Sequence, residues 1–179
     1  MTVRLKKTAV FTFGRMNPPT TGHLRLVEFL CKQPGDHYVF LSHKTHPRTD
    51  PLPYNIKKEF AAEFFKGVFV GDDHASNVID VLKLLESKGY TDIVMVVGSD
   101  RVESFDTLLK KYNNREYSFD TISVTSAGDR DPDAADVSGM SASAQRHLVR
   151  IGDRVGFARG VPDDKYTDKL FNKLSEFMR

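Results

Sequence analysis

Two short segments of the chain carry residue types that can handle phosphate. The first runs Phe13-Gly14-Arg15-Met16-Asn17-Pro18-Pro19-Thr20-Thr21-Gly22-His23. Its paired prolines stiffen a turn. Gly22 has no β-carbon, so a base or a phosphate can approach its backbone closely, and His23 can donate to a phosphoryl oxygen. A helix that begins here turns unpaired amides and the positive end of its dipole toward the same space. The second segment is Gly139-Met140-Ser141-Ala142-Ser143-Ala144-Gln145-Arg146. Two serines at a helix start, with Arg146 about one turn inside, form an anion cradle suited to pyrophosphate. Taken singly, each segment has a plain alternative: an ordinary strand–turn–helix connection with an incidental histidine, and a serine cap with a solvated arginine.

Such segments need elements to launch them. Thr8 to Phe13 reads as a buried strand leading into the first, and Gly22 to Lys32 as a helix with Leu24, Val27, Leu30 and Cys31 at helical spacing. A strand over Tyr38 to Ser42 follows, then a polar loop from His43 to Pro53. Tyr54 to Lys66 is predicted helical, with Ile56, Phe60 and Phe64 as its inner stripe and Gly67 as its stop. Beyond it lie a short strand, Val68 to Val70, and a helix, Asn77 to Ser87. Ile93 to Val97 is apolar throughout and β-branched except at Met95, as a central parallel strand should be. Helix Val102 to Tyr112, strand Thr121 to Val124, helix Ser141 to Arg150 and an amphipathic helix over Tyr166 to Met178 complete the order. This alternation predicts an α/β fold, a doubly wound parallel sheet with helices on both faces, as a single domain over 1–179. Sheets of this kind bind ligands at the carboxyl ends of their strands, near the switch in strand order.

The bulk properties narrow the partners. The 179 residues suit one compact domain, and a net charge of +2 makes no electrostatic case for nucleic acid. An anionic partner has to be caught locally. The single cysteine, Cys31, allows no internal disulfide, makes zinc improbable, and reads as a buried thiol on an apolar helix face. The apolar stretch near the start, Ala9 to Phe13, is too short for a signal segment or a membrane span, so the expected location is the cytoplasm. The acidic run Asp129 to Asp136 reads as a solvated loop, with a metal site as the less favoured alternative, and His37, His74 and His147 read as structural or surface residues. The P-loop pattern GxxxxGK[ST] does not occur.

Together the two segments resemble the motifs of nucleotidyltransferases with an H/TxGH signature, here Thr20-Thr21-Gly22-His23. Gly14 to His23 is especially similar to the Gly-Arg-Phe-Gln-Pro form of archaeal-type nicotinamide mononucleotide adenylyltransferases. Met140 to Arg146 resembles the family's second motif, Ile-Ser-Ser-Thr-x-x-Arg. The run ending Val97-Gly98-Ser99-Asp100 resembles the strand and nucleotide-side loop between the two. Gly98 to Val102, and Asp131-Pro132 to Arg146, also look like uncharacterised nucleotidyltransferases of tailed bacteriophages, for which the location would be the host cytoplasm. The resemblance implies a Rossmann-like fold of the nucleotidylyl transferase type.

It further implies a reaction. A phosphate oxygen of a phosphorylated small molecule attacks the α-phosphorus of a nucleoside triphosphate, and pyrophosphate leaves. By resemblance Thr20 and His23 hold the α- and β-phosphates, and Ser141, Ser143 and Arg146 hold the β- and γ-phosphates. Phe13, Gly14, Arg15 and Gly22 line the nucleotide side, with Gly14 and Arg15 at the triphosphate or, alternatively, at the acceptor phosphate, and Gly98 and Asp100 shape the base and ribose pocket. Asp100 has a plain alternative as a helix cap. Mg²⁺ travels with the triphosphate, so no dedicated metal ligands are required. Lys44, His46, Arg48 and Lys57 are the candidate cations for an acceptor phosphate, unless they belong to a solvated loop. One departure stands out: the family often has a lysine two residues before its arginine, and here that position is Ala144. The pyrophosphate site is then one cation short unless Lys44, Arg101 or Arg130 supplies it.

Adenylyl transfer from ATP to nicotinamide mononucleotide leads among the readings. Cytidylyl transfer from CTP to a phosphorylated alcohol is its close rival, and a nucleotide-binding phage protein with little turnover is the alternative of a different class. A class I aminoacyl-tRNA synthetase shares the fold logic, but the expected single short domain and weak charge disfavour it. No membrane partner is expected, and a homo-oligomer is compatible with the composition.

Overall fold

The computed structural model describes residues 4–128 and 140–179. Five strands form one sheet: β1 (Thr8–Gly14), β2 (Asp36–Leu41), β3 (Phe69–Val70), β4 (Asp92–Val97) and β5 (Thr121–Ser126). All pairs are parallel and the order is β3-β2-β1-β4-β5. The chain builds outward from β1 through β2 to β3, then returns to lay β4 on the opposite side of β1. That reversal opens a crevice over the carboxyl ends of β1 and β4, where neighbouring connections diverge.

Alternation along the strands explains why helices cover both faces. Ala9 and Phe11 of β1, Phe40 of β2, and Ile93, Met95 and Val97 of β4 point into one core. Helices α3 (Val78–Ser87) and α4 (Val102–Lys111) close it with Val81, Leu82, Leu85 and Leu109. The intervening residues Val10 and Val96 face α1 (Thr21–Cys31) through Leu26 and Leu30. Val39 and Leu41 face α2 (Tyr54–Phe64) through Phe60, Ala61 and Phe64. Burying both faces is what a parallel sheet requires, and the nearly unbroken apolar runs of β1 and β4 reflect it.

Three more helices extend the second layer: α5 (Ala142–Ile151), α6 (Arg154–Ala158) and α7 (Thr167–Phe177). Val149, Phe157, Leu170, Phe171 and Leu174 join their stripes to the α2 side of the core. The five-residue α6 is absent from the sequence expectation, because it is too short for a periodic signal. It starts at Asp153, whose carboxylate accepts the Gly156 amide at 2.8 Å, just after Gly152 ends α5 at φ 73°. Cys31, expected to be buried, is half-buried at the end of α1, and burial raises its thiol pKa. Strand β5 runs two residues beyond its predicted end at Val124. The expected acidic loop and Arg130 lie outside the described residues.

Gly35 sets the start of β2 against β1. Its φ is +137°, and a β-carbon there would lie 2.8 Å from the Thr8 carbonyl oxygen and 3.0 Å from Val10 Cγ2. The adjacent pair Ala9↔Asp36 begins the β1–β2 ladder, so the obstruction falls on backbone that cannot yield cheaply. Gly35→Ala is expected to cost about 2–3 kcal/mol, from the strained dihedral and the displaced strand. For a chain of this size that is a fall in Tm of roughly 5–10 °C. A thermal melt showing a loss below about 2 °C would contradict this account of the β1–β2 junction.

Candidate active site

The loop from β1 to α1 forms the floor of the crevice. Met16 adopts a left-handed backbone, φ 43°, with its side chain buried. This turns the next residue inward. Asn17 is buried, donates its amide to the Leu52 carbonyl at 3.0 Å and accepts the Leu52 amide at 2.9 Å, which staples the 43–53 loop to the floor. The Asn17–Pro18 peptide is cis.

At the start of α1 a reciprocal cap holds His23. The His23 amide donates to Thr20 Oγ1 at 3.3 Å, and the Thr20 amide donates to His23 Nδ1 at 3.0 Å. An Nδ1 that accepts an amide proton carries none itself, so the proton of the neutral ring sits on Nε2. His23 lines the crevice, and this tautomer suits it to donate to a phosphoryl oxygen. The Thr20 hydroxyl gives its own proton to the Met140 carbonyl at 2.8 Å. The Thr21 amide donates to the Gly160 carbonyl at 3.0 Å. Helix α1 is therefore bonded directly to the segment that starts α5.

At that second start, Ser141 is buried and its hydroxyl accepts the Ala144 amide at 3.0 Å. Gln145, fully buried, donates to the Phe157 carbonyl at 2.9 Å and pins the helix from behind. Arg146 donates from Nη1 to the Asn17 carbonyl at 2.9 Å, reaching across to the first segment. Burial lowers its proton affinity and Arg150 adds to that, while Asp50 opposes it. Its Nε finds no hydrogen-bond partner among the described residues.

These pieces enclose a cavity of about 480 Å³, a size suited to a nucleotide-scale ligand. Its wall brings together Phe13, Gly14, Arg15, His23, Lys44, Gly98, Asp100, Ser141, Ser143 and Arg146, all singled out from the sequence. Asp100 makes no capping hydrogen bond at the 3-10 turn Ser99–Arg101 or at α4, which removes its plain alternative.

Five expected residues stand elsewhere, among them His46, which is exposed and outside the wall. Thr20 is fully buried with its hydroxyl committed to Met140, so it positions α1 rather than facing a ligand. Gly22 lies in the first turn of α1, outside the wall. Lys57 is fully buried beneath the site, donating to the Ser42 carbonyl at 2.7 Å, with burial pushing its pKa down to about 8. It braces the end of β2 and does not reach the cavity. Arg48 is exposed and outside the wall, and its carbonyl accepts Arg150 Nη2 at 2.7 Å.

The missing lysine also resolves geometrically. At about 100° per residue, position 144 lies on the far side of α5 from Ala142, Ser143 and Arg146, which line the cavity. A lysine at 144 would point away from the cavity. Lys44 and Arg101 line the cavity instead. Residues the sequence did not flag are Asn17, which anchors Arg146, and Asp50, a fully buried acid within the polar loop.

No protein-family model matches the chain, and no curated protein matches it. Solved structures do. A protein assigned as a nicotinate-nucleotide adenylyltransferase from Vibrio parahaemolyticus aligns at a TM-score of 0.63 and 17% identity, over 97% of this chain and 98% of that one. The nicotinic acid mononucleotide adenylyltransferase of Plasmodium falciparum, complexed with APC, aligns at 0.62 and 14% identity, over 96% and 98%. TmcAL from Thermotoga maritima, bound with alpha-thio ATP, aligns at 0.60 and 14% identity, over 96% of this chain but only 55% of that one. At these identities the likeness establishes the Rossmann-like fold, an all-parallel five-stranded sheet with helices on both sides. Among the described residues no helix is long and apolar enough to cross a membrane.

Removal of the Thr20 hydroxyl at constant shape tests the link between the two helix starts. Thr20→Val loses the α1 cap, a loss of about 1 kcal/mol, and leaves the buried Met140 carbonyl unsatisfied, about 1–3 kcal/mol. Urea denaturation should show a combined loss of about 2–4 kcal/mol. A loss under about 0.5 kcal/mol would mean that the Met140 contact does not hold the helices together.

Proposed function

We propose that the protein is a nucleotidyltransferase that moves an adenylyl group from ATP to a phosphorylated small molecule, with nicotinamide mononucleotide as the acceptor, and releases pyrophosphate. One observation carries this reading: the starts of α1 and α5 are bonded together and open on one cavity lined by His23, Ser141, Ser143 and Arg146. Two helix starts, a histidine with its proton on Nε2 and an arginine make a cavity built for several linked phosphates. The likeness to two mononucleotide adenylyltransferases over nearly the whole length of both chains supports the choice of reaction.

In the proposed reaction an acceptor phosphate oxygen attacks the α-phosphorus in line. The bond from that phosphorus to the bridging oxygen breaks, and its electron pair leaves with pyrophosphate. His23 Nε2–H donates to an oxygen at the α,β bridge as negative charge builds there. Arg146, with Ser141 and Ser143, holds the β- and γ-phosphates, and Gly14 and Arg15 flank the triphosphate. Phe13, Gly98 and Asp100 frame the base and ribose, and Lys44 offers a charge to the acceptor phosphate. The protein's contribution is placement and charge stabilisation, with no covalent intermediate.

Magnesium enters this proposal with the triphosphate, whose charge it reduces. Among the described residues no cluster of three or more His, Cys, Asp or Glu side chains gathers, and Asp100 is the carboxylate in the cavity wall. That donor set fits an ion borne by phosphate oxygens rather than one caged by protein.

Pyrophosphate release is the direct assay, with ATP or CTP paired with nicotinamide mononucleotide or a phosphorylated alcohol. Turnover is expected with ATP and the mononucleotide. Turnover with CTP alone would overturn the donor and acceptor, and no pyrophosphate from any pair would overturn the reaction. His23→Ala should lower kcat by roughly 10²-fold or more, the scale of one lost transition-state donor, while ATP binding changes little. Arg146→Ala should weaken ATP in calorimetry and leave AMP nearly unchanged. Equal losses for ATP and AMP would remove Arg146 from the β,γ end.

A further inference from the structure

The 43–53 loop places a fully buried carboxylate, Asp50, beneath the cavity. Its backbone pairs in both directions with His46 at 2.8 Å, which closes a small hairpin. One carboxylate oxygen accepts the Thr49 hydroxyl at 2.8 Å and faces Arg15 Nη1 at 3.8 Å, while the other finds no hydrogen-bond partner among the described residues. The surrounding charges are positive. Lys57 is fully buried, and Asp50 is the charge that most favours its protonated form. Asp50 also favours the charged form of Arg146, against the effects of burial, Arg150 and Arg15.

A buried anion that stands alone, among the described residues, beside Arg15, Lys57 and Arg146 is not explained by a phosphate-holding role, because a negative charge repels phosphate. It is explained by what these cations do to one another whenever the protein is free of ligand. Without ligand these cations repel one another, and around the buried Lys57 and half-buried Arg146 that repulsion is poorly screened, while Arg15 is largely exposed to solvent. We propose that Asp50 is an internal counter-ion for the phosphate-binding cations: it holds Arg15, Lys57 and Arg146 together when no ligand is bound, and it weakens phosphate affinity as the necessary consequence. Asp50 is thus a positioning residue, and its negative charge favours departure of pyrophosphate after transfer. The inference rests on the phosphate site proposed above.

Linkage makes the inference testable. If Asp50 and bound phosphate neutralise the same cations, removing the Asp50 charge must harm the empty protein more than the occupied one. Asp50→Asn keeps the shape and can still accept the Thr49 hydroxyl. Inorganic pyrophosphate is the probe, read by calorimetry and thermal melts at low and high salt. Asp50→Asn should melt lower than the unmodified protein without ligand, show a larger pyrophosphate-induced rise in Tm, and bind pyrophosphate on the order of 3- to 10-fold tighter at low salt. The difference should shrink at high salt. Asp50→Glu, which keeps the charge, should show the unmodified protein's ligand-induced rise even if its own Tm falls. Should Asp50→Asn purify unfolded, pyrophosphate is expected to restore its circular dichroism, and failure to do so overturns the proposal. Equal or weaker binding by Asp50→Asn overturns the counter-ion while leaving the phosphate site intact. No pyrophosphate binding by the unmodified protein overturns both.

Discussion

The Thr20 hydroxyl gives its proton to the Met140 carbonyl at 2.8 Å, joining residues 120 positions apart. The same hydroxyl oxygen accepts the His23 amide, so one side chain caps α1 and ties it to the chain that enters α5. Both helices begin at this junction. Side chains and backbone close much of these first turns internally, the Thr21 amide on the Gly160 carbonyl, the His23 amide on Thr20 and the Ala144 amide on Ser141, while His23 and Ser141 still face one cavity. The cavity shape, the His23 tautomer and the reach of Arg146 to the Asn17 carbonyl follow from that junction. The junction is buried, where an unmade hydrogen bond is most costly and the geometry correspondingly firm.

The strand order supplies the room. Because the chain leaves β1 toward β2 and later returns to β4 on the other side, the connections after β1 and β4 part and leave a crevice. Arg15, His23 and Lys44 reach it from the β1–β2 half, and Gly98, Asp100 and Arg101 from the β4 half. The 43–53 loop is tied on one side to the β1–α1 loop and on the other to α5. Asn17 holds it at Leu52, Arg150 holds it at Arg48, and Lys57 fastens the end of β2 at Ser42. The loop is divided: residues 44–49 are exposed, as the solvated alternative expected, while Asp50 and Leu52 are buried against the floor.

Charge has two layers. Above, Arg15, Lys44, Arg101 and Arg146 face the cavity. Below, Lys57 and Asp50 are fully buried. Burying a lysine and an aspartate is costly unless each serves the other and its neighbours, and here the cost is concentrated directly under the site. Net charge says nothing of this. A value of +2 for the whole chain is compatible with a strongly cationic cavity, because charge that matters to a ligand is counted locally.

The sequence by itself determined the order of the strands and of the longer helices, the two-sided burial of the sheet and about half of the cavity wall. Periodicity of apolar residues reports burial directly, and glycine, proline and serine at element ends report helix starts, so His23, Ser141 and Arg146 were legible without coordinates, while Gly14 and Gly98 came from the family resemblance. Residue type was less informative where partners come from far along the chain. Thr20 reads as a phosphate ligand until Met140 is seen to take its hydroxyl, and Lys57 reads as an acceptor cation until Ser42 is seen to hold it. Ala144 reads as a lost cation until α5 is oriented, which depends on Gln145 and Phe157 behind it. Asp50 gave no local signal, since its burial is created by the loop folding back against Asn17 and Arg15. Local pattern encodes which residues meet solvent on average; only tertiary packing decides where a given hydrogen bond or charge finds its partner.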